Sequence, residues 1–378
     1  MVNFYSIVSA RYEVLRDQWH STIDSLDKNI DLEIYYHQGH EYNLDIMMNA
    51  MKKSFDYFNE HFSVYPYEQM RIMEYPRYTE FAQSFPGTVP YSEALGFMLD
   101  IDDEKDVDIP FFVTAHEVAH QWWGLHLVAA NVKGKHMILE SLAQYSALMV
   151  FKQEYSDEKV QQFLQLELDR YLQGRKRETK AEVPLDLVEN EAHIYYSKGA
   201  INMYALQDYI SEDSFNLALG RFIEDWNSID GPLQKNNYPT TLDLLSYFKE
   251  VTPDTLQYLL TDLFETITIF ENEAIQANYE SLPNNQYKVE LNIKAEKYQV
   301  DDAGLEISIP INDWIDIGVY ARGANGKEEL IYLEKHKILK TESTIEIILD
   351  RLPIRAGIDP LCKLIDKKID NNLILFSN

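Results

Sequence analysis

Two histidines four residues apart, His116 and His120, bracket the carboxylate Glu117 in the run Phe111-Phe112-Val113-Thr114-Ala115-His116-Glu117-Val118-Ala119-His120-Gln121-Trp122-Trp123, which holds no helix breaker. Positions i and i+4 of an α-helix lie one turn apart on one face, so both imidazoles can reach one cation while Glu117 addresses a water on it. Zinc with three protein ligands and an open fourth position lowers the pKa of its water to about 7, which supplies the nucleophile that amide hydrolysis needs. A third ligand is required. Glu140 is the candidate, because it stands in Ile138-Leu139-Glu140-Ser141-Leu142-Ala143, and a helical carboxylate among apolar neighbours is rarely buried unless paired or bound to metal. His126 and His136, between the motif and Glu140, compete as ligands or as donors behind the ligands, and His193 is similarly ambiguous. Exposed loop histidines are the plainer reading of these, since two His and one Glu already leave the open position that catalysis needs.

The elements that must position these residues follow from periodicity. Residues 1–110 mix strands and helices: Asp31-Leu32-Glu33-Ile34-Tyr35-Tyr36 alternates like a strand, Tyr42 to Phe62 has helical spacing, and Arg71-Ile72-Met73-Glu74-Tyr75 is the next strand. Prolines in Phe85-Pro86-Gly87-Thr88-Val89-Pro90-Tyr91-Ser92-Glu93 keep that stretch out of a central strand and suit an edge strand beside a groove. From 111 to about 265 the pattern is almost wholly helical, with helices expected over Met137 to Tyr155, Asp157 to Leu172 and Tyr196 to Ile210. Residues 266–378 turn to period-two runs, Tyr287 to Ile293 and Ser343 to Leu349 among them, punctuated by Asn284-Asn285 and Gly323-Ala324-Asn325-Gly326 turns, which predict a separate antiparallel, sandwich-like β module. The expected class is therefore α+β: a short α/β segment, a helical core that carries the metal residues, and a β module.

Composition narrows the function. Across 378 residues, 62 Asp and Glu face 34 Lys and Arg, and a net charge of −28 argues against a nucleic-acid binder that neutralises phosphates. An acidic cleft would instead suit substrates that carry a free amino group. The single cysteine, Cys362, excludes an intrachain disulfide framework and a Cys-rich zinc ribbon, so metal chemistry falls to His, Asp and Glu. No run of 18 apolar residues predicts a membrane span, and Met1-Val2-Asn3-Phe4-Tyr5-Ser6 lacks the basic and apolar regions of a signal peptide. The chain is soluble as given, expected to be either cytosolic or a piece of something longer.

His116 to Gly124 followed by Glu140 resembles the zinc site of the aminopeptidase-N-like metallopeptidases, the gluzincin family whose members share a thermolysin-like helical catalytic domain. The resemblance implies one zinc ion on His116, His120 and Glu140, with Glu117 as general base. Tyr195-Tyr196-Ser197-Lys198-Gly199-Ala200 is similar to the family's Tyr-x-Lys-Gly element, which implies that the Tyr196 hydroxyl stabilises the oxyanion. More closely, His116 to Gly124, Ala129-Ala130-Asn131-Val132, Glu140 to Val150 and Arg355-Ala356-Gly357-Ile358-Asp359-Pro360 resemble a bacterial subgroup in which the peptidase module follows an ABC-transporter-type membrane permease in one polypeptide. That likeness runs from about Tyr35 to Asp366, and it implies covalent attachment to a permease in a longer protein.

Two features depart from the family. Nineteen residues separate His120 from Glu140 where the family has 18, and 19 is typical of thermolysin-type endopeptidases. The Gly-x-Met-Glu-Asn strand that binds a substrate's amino terminus is absent as such; Pro90-Tyr91-Ser92-Glu93-Ala94-Leu95-Gly96-Phe97 sits at the matching place, so Glu93 is the candidate for the amine and the backbone of residues 87–91 for pairing with substrate. The implied activity is zinc-dependent removal of N-terminal residues from peptides. The alternatives are a thermolysin-like endopeptidase and a zinc-stabilised binding or regulatory module of a transporter, although a closed structural site would have no use for the base Glu117.

Overall fold

The computed structural model describes residues 8–376 except 22, 24–25, 103, 228–237 and 325. Met1 to Ser6, Asn325 of the expected turn and part of the expected helical stretch thus lie outside the described residues. The chain packs as two compact units, Met1–Val160 with Ser211–Val251, and Gln161–Ile210 with Thr252–Asn378. Helices and sheets occur in both.

In the first unit β1 (Glu13–His20), β2 (Asn29–Tyr36), β3 (Gln69–Tyr75) and β4 (Thr88–Ser92) form one sheet in that order, with β1 antiparallel to β2 and the other pairs parallel. A parallel pair needs a crossover. α1 (Leu44–His61) supplies it between β2 and β3, burying Met47, Met51, Phe55 and Phe58 at helical spacing. Period-two alternation buries Ile30, Leu32 and Ile34 of β2 and Met70, Ile72 and Glu74 of β3, so one fully buried carboxylate stands on an otherwise apolar strand face.

The edge of the sheet differs from expectation. Residues 81–85 fold back on β4 through a tight turn in which Phe85 and Thr88 exchange both backbone hydrogen bonds, 2.8 and 3.0 Å, with Gly87 at φ +64°. Gln83 N–H donates to Pro90 O and Ser92 N–H to Phe81 O, both at 3.1 Å. β4 is therefore paired on both sides, and the outermost strand-like segment is 81–85. The backbone of residues 87–91, expected to pair with substrate, is engaged by the protein itself: Arg71 N–H also donates to Gly87 O at 3.1 Å.

The other described α-helices of ten or more residues are α2 (Ile109–Ala119), α3 (Leu142–Glu154), α4 (Asp157–Arg177), α5 (Gly199–Ile210), α6 (Glu212–Trp226) and α7 (Thr241–Val251). α2 starts where Asp108 accepts the Phe111 N–H at 2.9 Å and Pro110 occupies the first turn, which has no need of its missing donor. Four described segments are wound wider, with i→i+5 hydrogen bonds: Glu93–Phe97, Met137–Ser141 leading into α3, His193–Lys198 leading into α5, and Thr261–Glu265.

The second unit holds the predicted antiparallel strands: β5 (Thr268–Ser281), β6 (Tyr287–Val300), β7 (Glu306–Ile309), β8 (Asp313–Arg322), β9 (Glu328–Ile338), β10 (Glu342–Leu349), β11 (Pro353–Ile358) and β12 (Leu373–Leu375). They form two sheets, β10-β6-β5 with β7 on β6, and β12-β11-β8-β9. Val289, Leu291 and Ile293 of one and Ile315, Ile317, Val319 and Ile358 of the other fill a single core. Among the described residues no helix is long and apolar enough to cross a membrane.

Candidate active site

Helix α2 is apolar on nearly every face and is buried accordingly, which places His116 and Glu117 in the interior of the first unit. It ends at Ala119, with His120 at its cap. Nothing between Phe111 and Trp123 breaks a helix by residue type; the stop comes from Gly124, at φ +115°, whose N–H donates to Leu127 O at 2.8 Å and turns the chain back. That turn presents the Trp123 carbonyl to His120 Nδ1 at 2.9 Å. With the proton on Nδ1, the lone pair of Nε2 is free to bind a cation.

His116 and His120 meet at right angles, with ring centroids 4.6 Å apart and Nε2 atoms at 3.0 Å. Glu140, carried by the wide turn Met137–Ser141, points Oε2 at the same place, 3.2 Å from His120 Nε2 and 3.5 Å from His116 Nε2. The side chains are only 8, 15 and 17 % exposed for His116, His120 and Glu140. Two imidazole nitrogens and one carboxylate oxygen converge closely enough to hold one metal ion, and donors of these types suit zinc. Burial drives the Glu140 carboxyl up, but hydrogen bonds from His116 and His120 hold it well below the usual range. Burial likewise opposes the charge on His120, yet Glu140 and Glu117 raise it to about 9. Both directions report one arrangement, a negative floor that stabilises positive charge between the rings.

Glu117 lies beside the trio. Burial raises its carboxyl above the ordinary range against the pull of His120 and His116, and its Oε2 has no hydrogen-bond partner among the described residues. A buried carboxylate oxygen left over next to converging ligands fits a site that takes a metal and a water. Its backbone is held: Glu117 O accepts from the Ser84 hydroxyl at 2.8 Å, and the Gln121 amide reaches Ser84 Oγ at 2.5 Å and Phe85 O at 2.9 Å while its Oε1 accepts Gly87 N–H at 2.9 Å. Sequence reasoning missed this tie between the 81–87 turn and the histidine helix. A glutamine directly after the second histidine was the one legible hint.

The other predicted residues are carried by other elements. Glu93 opens the wide turn Glu93–Phe97; its Oε1 accepts Arg77 N–H at 3.0 Å and its Oε2 lies 3.9 Å from His40 Nδ1. Tyr196 belongs to the second unit, on the wide turn His193–Lys198, against Tyr195 with ring centroids 4.6 Å apart. Behind it Lys198 is buried on Glu182 at 2.9 Å. His126 packs near Ser63, His136 precedes the Glu140 turn, and His193 stacks on Tyr171; none joins the trio. Among the described residues one more His/His/Glu group converges, His37, His40 and Glu74, which sequence reasoning did not connect.

Residues 46–262 match the Peptidase family M1 domain. Human endoplasmic reticulum aminopeptidase 2 is 22% identical over 217 residues, 55% of this chain and 22% of that protein. Aminopeptidase M1 of Arabidopsis thaliana is 26% identical over 210 residues, 53% of this chain and 24% of that protein. In fold the chain is similar to the crystal structure of Legionella pneumophila aminopeptidase A in complex with aspartic acid, with a TM-score of 0.57 at 16% identity over 95% of this chain and 38% of that one. The chain thus spans about a quarter or less of the curated relatives and under two fifths of the solved structure. With more than half of its length matched, and the His116, His120 and Glu140 trio inside the matched region, the chain belongs to peptidase family M1.

Proposed function

We propose that the chain hydrolyses peptide bonds as a zinc-dependent aminopeptidase. The observation that carries this reading is the convergence of His116, His120 and Glu140 beside the buried Glu117. A zinc ion held by those three residues supplies Lewis-acid activation of water and of the scissile carbonyl. Glu117 takes the proton from the attacking water and returns it to the leaving amine. The Trp123 carbonyl keeps His120 in the tautomer that offers Nε2, and Ser84 and Gln121 hold the backbone at Glu117. The oxyanion role of Tyr196 and the ammonium-binding role of Glu93 rest on the family resemblance, and Tyr196→Phe and the substrate comparison below test them. The thermolysin-like character of the catalytic domain, its attachment to a membrane permease in the full-length protein and its use of peptides as substrates belong to the same reading.

Glu117→Gln is the central test. It removes the base and none of the three ligands, so zinc content should stay unchanged while hydrolysis of an aminoacyl anilide falls by about 10²–10⁴-fold. Near-normal turnover at full zinc content would refute the assignment. The 19-residue interval between His120 and Glu140 favours an endopeptidase instead. Comparing a free-amine substrate with its N-acetylated twin decides between them: an aminopeptidase needs the free amine, and equal rates would remove the role of Glu93. Bound zinc with no cleavage of any peptide in a library would point to a regulatory module of a transporter.

A further inference from the structure

We propose that His37, His40 and Glu74 form a second zinc site, distinct from the His116, His120 and Glu140 trio and structural in role. The three residues come from two elements that the parallel sheet brings together. β2 and β3 pair in register through Tyr35 and Met73, so the chain leaving β2 passes beside Glu74. It then turns at once: His40 N–H donates to His37 O at 3.0 Å, and Gly39, at φ +93°, supplies the positive φ that the third position of a type II turn demands. The turn sets both imidazoles over the end of β3. Their ring planes cross at 66° with centroids 6.2 Å apart, and both Nδ1 atoms face the Glu74 carboxylate, His37 Nδ1 at 3.1 Å from Oε2 and His40 Nδ1 in contact with Oε1.

The charge and burial of this group suit a cation. Glu74 has no exposure at all, while the imidazoles are 31 and 23 % exposed, so a buried anionic floor lies beneath a mouth that an ion can reach. Glu93 adds a second carboxylate 3.9 Å from His40 Nδ1. Two carboxylates facing two imidazoles carry a charge of about −2 when the rings are neutral, and buried carboxylates are held by cations or by hydrogen bonds. The His37 N–H donates to Glu74 Oε2 at 2.5 Å, the sort of support behind a ligand that fixes its orientation. Two imidazoles and a carboxylate suit zinc, with water completing the four-coordinate shell. Such an ion would clamp the 37–40 turn to β3, in the strand layer that also carries the 81–85 segment tied to Glu117.

Zinc content of the purified full chain tests the proposal after removal of metal with chelator, reloading with zinc and desalting. The expected result is two zinc ions per chain for the native protein, one for His116→Gln/His120→Gln, one for His37→Asn/His40→Asn, and none for the fourfold variant. The two sites are separable by design, since the His116→Gln/His120→Gln protein keeps its zinc whether or not the catalytic reading holds. Should the His37→Asn/His40→Asn chain fail to fold, the His116→Gln/His120→Gln protein alone decides. One zinc in the native chain and none in His116→Gln/His120→Gln would overturn the proposal and leave His37, His40 and Glu74 as a hydrogen-bonded trio.

Discussion

Replacing Gln121 with Leu removes a buried amide that ties two elements and leaves a side chain of similar size. Gln121 is fully buried and makes three hydrogen bonds into the 81–87 turn. Their losses are unequal. Phe85 O keeps the Thr88 N–H, and the Ser84 hydroxyl keeps Glu117 O, so each of those bonds costs about 1 kcal/mol. Gly87 N–H is buried and loses the acceptor that the structure gives it, at about 1–3 kcal/mol. The total is about 3–5 kcal/mol, before any relief from the added apolar surface, or about two to three and a half powers of ten in the folded ratio. Denaturant unfolding reads the global part. If the turn opens locally while the rest stays folded, exchange of the Gly87 amide hydrogen accelerates instead. Under the proposed function kcat/KM for an aminoacyl anilide should also fall at least about tenfold, because the helix carrying Glu117 loses the three Gln121 bonds that fix the 81–87 turn beside it. Stability within about 0.5 kcal/mol of the native protein, with unchanged Gly87 exchange and turnover, would refute the tie.

Three further outcomes follow from the same structure. Gly124→Ala places a side chain at φ +115° with nothing nearer its Cβ than Leu139 Cδ2 at 3.5 Å, so the cost is conformational, about 1–2 kcal/mol. Because the strain displaces the Trp123 carbonyl that orients His120, zinc affinity should drop about 10–100-fold in competition with a chelator. Lys198→Met strands Glu182 with Tyr171 and Arg175 as its remaining donors, and thermal or denaturant unfolding should report about 2–4 kcal/mol lost. Lys363→Met addresses pH dependence. Burial pushes the Asp208 carboxyl up, but Lys363 and Lys335 more than offset it, so its folded pKa is depressed. A depressed carboxylate contributes stability that is complete above its unfolded value, about 3.9, and is lost as pH falls through the folded one. The Lys363→Met penalty should therefore be full near neutral pH and shrink below about pH 4, and a penalty constant from pH 7 to 2 would contradict the pairing.

What could be read in the sequence was whatever depends on a short, regular period. His116 and His120 meet because i and i+4 share a helix face, and β6 and β10 alternate strictly enough to be found by eye. β1 escaped notice because it faces solvent along most of its length, and Trp19 is its single fully buried residue. The end of α2 was equally hidden, since it depends on a glycine four residues beyond the second histidine and on a hydrogen bond to Leu127. Trios assembled across a crossover leave still less trace. His40 and Glu74 are 34 residues apart, separated by the whole of α1, and only the parallel register of β2 on β3 makes them neighbours.

The interval between His120 and Glu140 ends in a wide turn. Glu93, Glu140 and Tyr196, the three predicted residues outside the histidine helix, each lie on an i→i+5 turn. Such a turn holds one residue more than an α-helical turn, and it swings the side chains before it relative to those after it. Glu140 stands on the turn Met137–Ser141, and α3, which follows it, buries Leu142 to Phe151. From that turn Glu140 Oε2 points at both imidazoles. One residue of additional spacing is thus compatible with the ligand geometry of an M1 peptidase, and the interval alone does not make the chain an endopeptidase.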